Sequence, residues 1–215
     1  MRGKFIVFEG ADGSGKTEAI RYVKARMDKR QIPYCLTREP GGTKIGEKVR
    51  EILLTPDMGE MTPKTELLLF SAARANHCEL IIAPAILSGK MVICDRFDYS
   101  TIAYQLAGRG RLEYEKAFRQ VTDFAKGETN PDLVVLLDID TDVAIARLDQ
   151  RLNEKNRLDV EPKSFHASVR ESYLNQMQRD SRSEWAKINA NLSKKAVGEA
   201  CWQAVAQCIG ISNSA

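Results

Sequence analysis

The residues best suited to do chemistry come early. Gly10-Ala11-Asp12-Gly13-Ser14-Gly15-Lys16-Thr17 fits, in full, the pattern GxxxxGK followed by Ser or Thr. The glycines let the backbone curl until several N–H groups point at one phosphate. A helix starting at Lys16 adds its own free N–H groups and the positive end of its dipole. Lys16 is placed to bridge the β- and γ-phosphates of a nucleoside triphosphate, and the Thr17 hydroxyl to ligate Mg²⁺. The motif by itself does not separate a kinase from a GTPase, a motor or an ATP-driven switch.

A second group of residues narrows that choice. Arg38 closes the apolar run Tyr34 to Arg38, and Asp95-Arg96 closes the run Met91 to Cys94. Both read as strand ends, which in a doubly wound sheet face the ligand crevice. Asp95 is suited to hold a magnesium-bound water and Arg96 to grip an acceptor phosphate. Surface arginines would explain either one alone, but two on the glycine-loop side of one sheet point to a second phosphate site. Phe70 and Arg74 stand four apart and share a helix face, pairing a flat aromatic with a planar donor fork that suits a nucleobase. An aromatic in a long apolar helix is as a rule a core residue, and Tyr104 alone reads the same way. His77 and His166 have no carboxylate or cysteine partner in the sequence, so neither is assigned a catalytic role.

These residues must be positioned by strands alternating with helices. Strands are expected over Phe5 to Glu9, Tyr34 to Arg38, Met91 to Asp95, Leu133 to Ile139 and, weakly, Ala186 to Ala190. Leu133 to Ile139 is apolar throughout, as in a strand covered on both faces. Helices are expected from Lys16 to about Lys29, Thr43 to Leu54, Thr62 to about Leu87, Tyr99 to Leu106, Leu112 to Lys126, Thr141 to about Arg151, Pro162 to Asp180 and Lys195 to Ile209. Thr62-Pro63 is a helix start, a hydroxyl N-cap followed by a proline whose missing N–H costs nothing. Asn153 to Asp159 is polar and weakly periodic and reads as a mobile loop. The alternation predicts an α/β fold: a doubly wound, five-stranded parallel sheet flanked by helices, of the P-loop NTPase type, with a short lid.

Composition sets outer limits. With 215 residues, 43% hydrophobic and 28% charged, the chain fits one domain, and the lid falls at about 147–160. A net charge of +3, mixed in sign, gives no case for a nucleic-acid partner. No apolar run approaches the ~20 residues needed to span a bilayer, and no signal peptide is evident. Cys35, Cys78, Cys94, Cys201 and Cys208 are scattered without a CxxC pair, which suits neither a disulfide framework nor a zinc site. A reducing cytoplasm is the simplest home.

At this point the sequence resembles the thymidylate kinase family. The resemblance rests on Phe5 to Thr17, on Thr37-Arg38-Glu39-Pro40-Gly41-Gly42-Thr43, and on Glu66 to Phe70 with Ala73-Arg74 and His77. It continues through Asp95-Arg96 with Ser100-Thr101 and Ala103-Tyr104-Gln105, Pro131 to Asp138, and Arg157-Leu158-Asp159 followed by Phe165, Val169 and Tyr173-Leu174. It covers roughly residues 3 to 180, with the motifs in order. The resemblance implies ATP-dependent conversion of dTMP to dTDP, with Mg²⁺, in a cytoplasmic homodimer. Phe70 would stack on thymine, Arg74 would bond its edge, and Thr101 and Gln105 would lie near the base. Pro40 and Ser100 would belong to the same acceptor site. Tyr104 would close against the sugar, Arg38 and Arg96 would hold the acceptor phosphate, and Asp12 would approach the sugar hydroxyl or its metal.

An anionic acceptor needs positive charge more than a general base. Lys16, Mg²⁺, Arg38 and Arg96 are expected to supply it from the floor. Arg147 and Arg151 stand four apart at a helix end with Arg157 beyond, and Arg151 is the expected lid arginine; a solvated helix end is the plain alternative. Two features depart from the family: Glu18 follows Thr17 where a second Thr or Ser is usual, and the segment Asn153-Glu154-Lys155-Asn156 is unusual. A kinase of the same fold with a broader acceptor range, such as dUMP or dGMP, and a nucleotide-binding switch stay open as alternatives.

Overall fold

The computed structural model describes residues 2–55, 61–150 and 157–211. Strands β1 (Phe5–Glu9), β2 (Tyr34–Arg38), β3 (Met91–Asp95), β4 (Leu133–Asp138) and β5 (Glu184–Asn189) pair in parallel in the order β2-β3-β1-β4-β5. Val7 stands opposite Cys94 on one side and Val134 on the other. From β1 the chain runs to the edge strand β2, returns through β3 and then crosses to β4 and β5 on the other side, so the loop after β1 lies at the switch point, where such sheets bind ligands.

The helices are α1 (Lys16–Lys29), α2 (Lys44–Leu54), α3 (Pro63–His77), α4 (Ala83–Leu87), α5 (Asp98–Thr101), α6 (Glu115–Lys126), α7 (Thr141–Asp149), α8 (Lys163–Arg179) and α9 (Lys194–Cys208). Side-chain alternation in β1 feeds two cores. Ile6 and Phe8 pack with Val23 and Met27 of α1, Val169 and Tyr173 of α8, and Trp202 and Val205 of α9. Phe5 and Val7 pack on the other face with Ile82, Ile86 and Phe97. All four β1 side chains are fully buried, each contributing about 1.5–3 kcal/mol through apolar burial. That packing fixes the floor from which the glycine loop springs.

Several elements differ from the sequence expectation, among them the helix expected from Leu112, whose first turn, Leu112–Tyr114, is a 3-10 turn ahead of α6. The long helix after Thr62 is interrupted: α3 passes into a π-helical turn, Cys78–Ile82, before α4. Pro84 is the cause, since it cannot donate a backbone hydrogen bond and its ring crowds the turn before it. The helix expected over Tyr99 to Leu106 is α5 followed by a π-helical stretch, Ile102–Gly108, whose wider turn carries Tyr104 and Gln105. β5 starts at Glu184 because this edge strand buries only Ile188, leaving its apolar signal faint. The Thr62 cap is as expected: its hydroxyl accepts the Thr65 N–H at 3.3 Å, with Pro63 opening the helix. The end of the expected mobile loop is also different. Leu158 and Asp159 are buried.

All five cysteines are free. Burial raises the thiol pKa of each, to about 12 at Cys78 and Cys201. No helix among the described residues is long and apolar enough to cross a membrane.

Candidate active site

A cleft of about 340 Å³ opens over the carboxyl ends of β1, β2 and β3. Its floor is the glycine loop. Gly13 packs so tightly on α7 that a Cβ there would lie 2.5 Å from the Ala144 carbonyl oxygen, and its φ of 81° is left-handed, so glycine is required twice over. Lys16 Nζ donates to the carbonyls of Gly10 at 2.9 Å and Ala11 at 3.2 Å. Burial, together with the neighbouring Arg96 charge, lowers the Lys16 pKa to about 8.

Arg96 is the hub. It follows β3 in a left-handed conformation, φ 70°, which turns its side chain back over the loop. Nη2 donates to Asp12 Oδ1 at 2.6 Å and to the Tyr104 hydroxyl at 3.0 Å. Nη1 reaches the Gly10 carbonyl, the Ser100 hydroxyl and the Tyr173 hydroxyl. The guanidinium lies over the Tyr104 ring, 4.9 Å from its centroid. Tyr104 donates in turn to Asp12 Oδ2 at 2.8 Å. Burial pushes the Asp12 pKa up, but Arg96 and Lys16 outweigh it and hold the carboxyl well below its ordinary value.

Beneath this cluster lies a residue that sequence reasoning gave no role. Glu9, at the end of β1, is fully buried and accepts from the Phe97 N–H at 2.8 Å, the Ser100 hydroxyl at 2.6 Å and the Tyr173 hydroxyl at 2.9 Å. Burial raises its pKa, and the Arg96 charge and these hydrogen bonds oppose the rise. Glu9 thus fixes two of the hydroxyls that receive Arg96.

The far wall comes from α3 and the π-helical stretch. Phe70, Arg74, Thr101 and Gln105 all line the cleft, and Arg74 Nη2 donates to Thr101 Oγ1 at 2.8 Å. Arg74 Nη1 and Gln105 Nε2 are buried donors that make no hydrogen bond. An unpaired buried donor costs about 1–3 kcal/mol, so two on one wall mark a place where a polar edge belongs. The opposite wall carries Arg38, Arg50 and Pro40. Arg38 is exposed and donates to Glu47 Oε2 at 2.9 Å, and Arg50 donates to the Pro40 carbonyl at 3.0 Å. Burial and the Arg38 charge pull the Arg50 pKa down, the mark of guanidinium groups crowded where an anion would relieve them. Arg50 was missed by sequence reasoning. The spacing Gly46, Val49, Leu53 marks the buried face of α2, and Arg50 borders it.

A second cleft, about 200 Å³, meets the glycine loop from the α9 side, bordered by Arg147, Ala190, Leu192, Lys194 and Val197. Arg147 lies within hydrogen-bond reach of the Gly13 and Ala190 carbonyls, at 3.4 and 3.3 Å. Arg157 does not reach the phosphate loop in the same way. Arg157 pairs with the buried Glu66 of α3 and lies 3.4 Å from the Leu53 carbonyl. Arg151 and residues 153–156 fall outside the described residues. Thr17 and Asp95 border the first cleft, and Asp95 Oδ1 is buried without a hydrogen-bond partner. His77 has a carboxylate partner after all: Glu39, distant in sequence, lies 3.0 Å from Nδ1.

A glycine-loop cradle at the switch point of a parallel sheet, facing a guanidinium-lined cleft, defines a P-loop protein of the nucleotide-kinase class. The family model for thymidylate kinase matches residues 8–201. The chain is 44% identical over 209 residues to the thymidylate kinase of Latilactobacillus sakei subsp. sakei, covering 96% of each chain. It is 43% identical over 197 residues to that of Pelotomaculum thermopropionicum, covering 92% of this chain and 90% of the relative. Against that of Thermomicrobium roseum it is 42% identical over 203 residues, covering 94% of each. The chain belongs to the thymidylate kinase family.

Proposed function

We propose that this chain moves the γ-phosphoryl group of ATP to the 5′-phosphate of dTMP, giving ADP and dTDP. The observation that carries the choice of acceptor is the pair of unpartnered buried donors, Arg74 Nη1 and Gln105 Nε2, beside Phe70. Thymine offers carbonyl oxygens at its edge and a flat face for Phe70. Cytosine turns an amino group toward the same place, leaving the Arg74 donor opposed by another donor.

An acceptor phosphate oxygen attacks Pγ, the bond from Pγ to the bridging oxygen of ADP breaks, and the electron pair leaves with ADP. The attacking oxygen is already anionic, so the protein's work is to bring two anions together. The glycine loop and Lys16 hold the donor phosphates, while Arg38, Arg50 and Arg96 hold the acceptor's. Asp12, kept ionised by Arg96 and Lys16, and Tyr104 lie at the floor of the acceptor cleft, where they bound the space open to the sugar. Arg147 reaches the donor side, and Arg151 is assigned to the transferring group. The Thr17 hydroxyl and the orphaned Asp95 Oδ1 suit Mg²⁺, Asp95 through water; the cation would neutralise charge on the β- and γ-phosphates.

The whole chain acts as one kinase domain with its lid at about 147–160. It works as a homodimer in the cytoplasm. The exposed Leu68 and the 90% exposed Phe124, on helices α3 and α6 that share an apolar cluster, support the dimer, and five free thiols support the compartment. The test is ADP formation by purified protein against dTMP, dUMP, dGMP, dCMP and AMP. dTMP should lead the panel; rates on dCMP or AMP as high as on dTMP would remove the thymine assignment.

A further inference from the structure

Arg74 does not hold its orientation alone. Its Nε donates to Glu39 Oε2 at 2.9 Å, and the other carboxylate oxygen, Oε1, faces His77 Nδ1 at 3.0 Å. His77 Nε2 lies 2.6 Å from Thr37 Oγ1. Glu39, Arg74 and His77 are all at least 95% buried, so no water competes for these bonds. Their polarity follows from the groups themselves. Arginine only donates and an ionised carboxylate only accepts, so Nδ1 carries the ring proton toward Glu39. Nε2, on the other side of the ring, is held against the Thr37 hydroxyl. Gly42 seals the ring in place, since a Cβ there would lie 2.7 Å from both His77 Nε2 and Thr37 Oγ1. With Nε committed to Glu39 and Nη2 to Thr101, Nη1 is the terminus left to meet a ligand.

We infer that His77 and Glu39 are positioning residues that aim Arg74 Nη1, and that they thereby set the preference for an acceptor base presenting a carbonyl oxygen. The inference rests on the assignment of this cleft to the acceptor base. His77 does not line the cleft, so its effect passes through Glu39 and Arg74. Without the Nδ1 donor, Glu39 Oε1 is left buried and unpaired. The carboxylate then turns toward whatever donor remains, and the guanidinium loses the anchor that fixes its plane. The loss falls on base discrimination rather than on the donor triphosphate, because neither residue hydrogen-bonds the glycine loop.

The experiment compares His77→Leu, His77→Asn and His77→Gln with the unaltered enzyme, measuring kcat and KM for dTMP, dCMP and ATP. An Asn amide can replace the Nδ1 donor to Glu39, whereas a Gln amide falls nearer the Thr37 side. His77→Leu should cut the preference for dTMP over dCMP about tenfold, the scale of one hydrogen bond to a charged group, with the KM for ATP within about twofold. His77→Asn should restore most of that preference and His77→Gln less. Equal losses on dTMP and dCMP, or Asn no better than Gln, would overturn the inference. If the Leu variant does not fold, the Asn and Gln pair decides alone. Arg74→Ala separates the two levels. If it leaves the preference intact, the base assignment itself falls. If it abolishes the preference while the His77 variants do not, only the positioning role falls.

Discussion

Lys16 carries a charge that the free site does not favour. Burial and Arg96 hold its pKa at about 8, while a bound triphosphate draws it back up by adding negative charge beside it. Binding in the range just above pH 8 must therefore take up a proton, and ATP affinity should fall as pH rises there, by at most about tenfold per unit. Calorimetry at pH 8.5 in buffers of different ionisation heat would show the uptake; a binding heat independent of buffer would contradict it. Arg96→Ala should lower kcat/KM for the acceptor about a hundredfold or more, as for loss of one charge-stabilising donor. Since the same guanidinium braces Gly10 and Asp12, ATP binding should weaken as well. A defect confined to ATP binding would take Arg96 off the acceptor side. The loop and both strand-end arginines were legible because their backbone context announces them. Glu9 was not, since the hydroxyls that give it meaning lie 91 and 164 residues away in sequence.

Among the elements, the central strands were the easiest to read, because a strand covered on both faces is apolar at every position. The interruptions were harder. Pro84 stands openly inside the long helix, yet periodicity alone cannot tell a π-helical turn from a break. The π-helical stretch after α5 carries no comparable marker, although it supplies Tyr104 and Gln105 to the cleft. At the other wall, α3 depends on its start. Thr62→Ala should remove the cap on the Thr65 N–H and lower stability by about 1 kcal/mol, read as a lower Tm. An unchanged Tm would mean that the α3 start is held by packing rather than by its cap.

Seen whole, the molecule closes on itself at Asp180, just after α8. Tyr99 donates to it, and so do the Trp185 indole at 3.0 Å and Arg182 Nε at 3.0 Å, joining α5, α8 and β5. Burial pushes its pKa up, but the hydrogen bonds from Tyr99, Trp185 and Arg182 prevail and lower it to about 2. An acid whose pKa is depressed on folding stabilises fully above its unfolded value of about 3.8, and that contribution fades as pH falls toward 2. Asp180→Asn should therefore lower the Tm at pH 7, and the gap from the unaltered protein should narrow between pH 4 and pH 2. A gap that stays constant would assign Asp180 a packing role alone.

The two clefts are built of different materials. The acceptor side is lined with buried nitrogen donors, whereas the α9 cleft, which we propose takes the nucleoside of the donor, presents Ala190, Leu192 and Val197 along with Arg147 and Lys194. Aliphatic side chains grip a purine ring by contact area and are indifferent to which atoms decorate it. The enzyme should be exacting about the molecule it charges and lenient about the molecule that supplies the charge. GTP should sustain turnover within about tenfold of ATP if the aliphatic contacts dominate, and a far steeper drop would mean that a polar group on that side, such as Lys194, reads the purine edge.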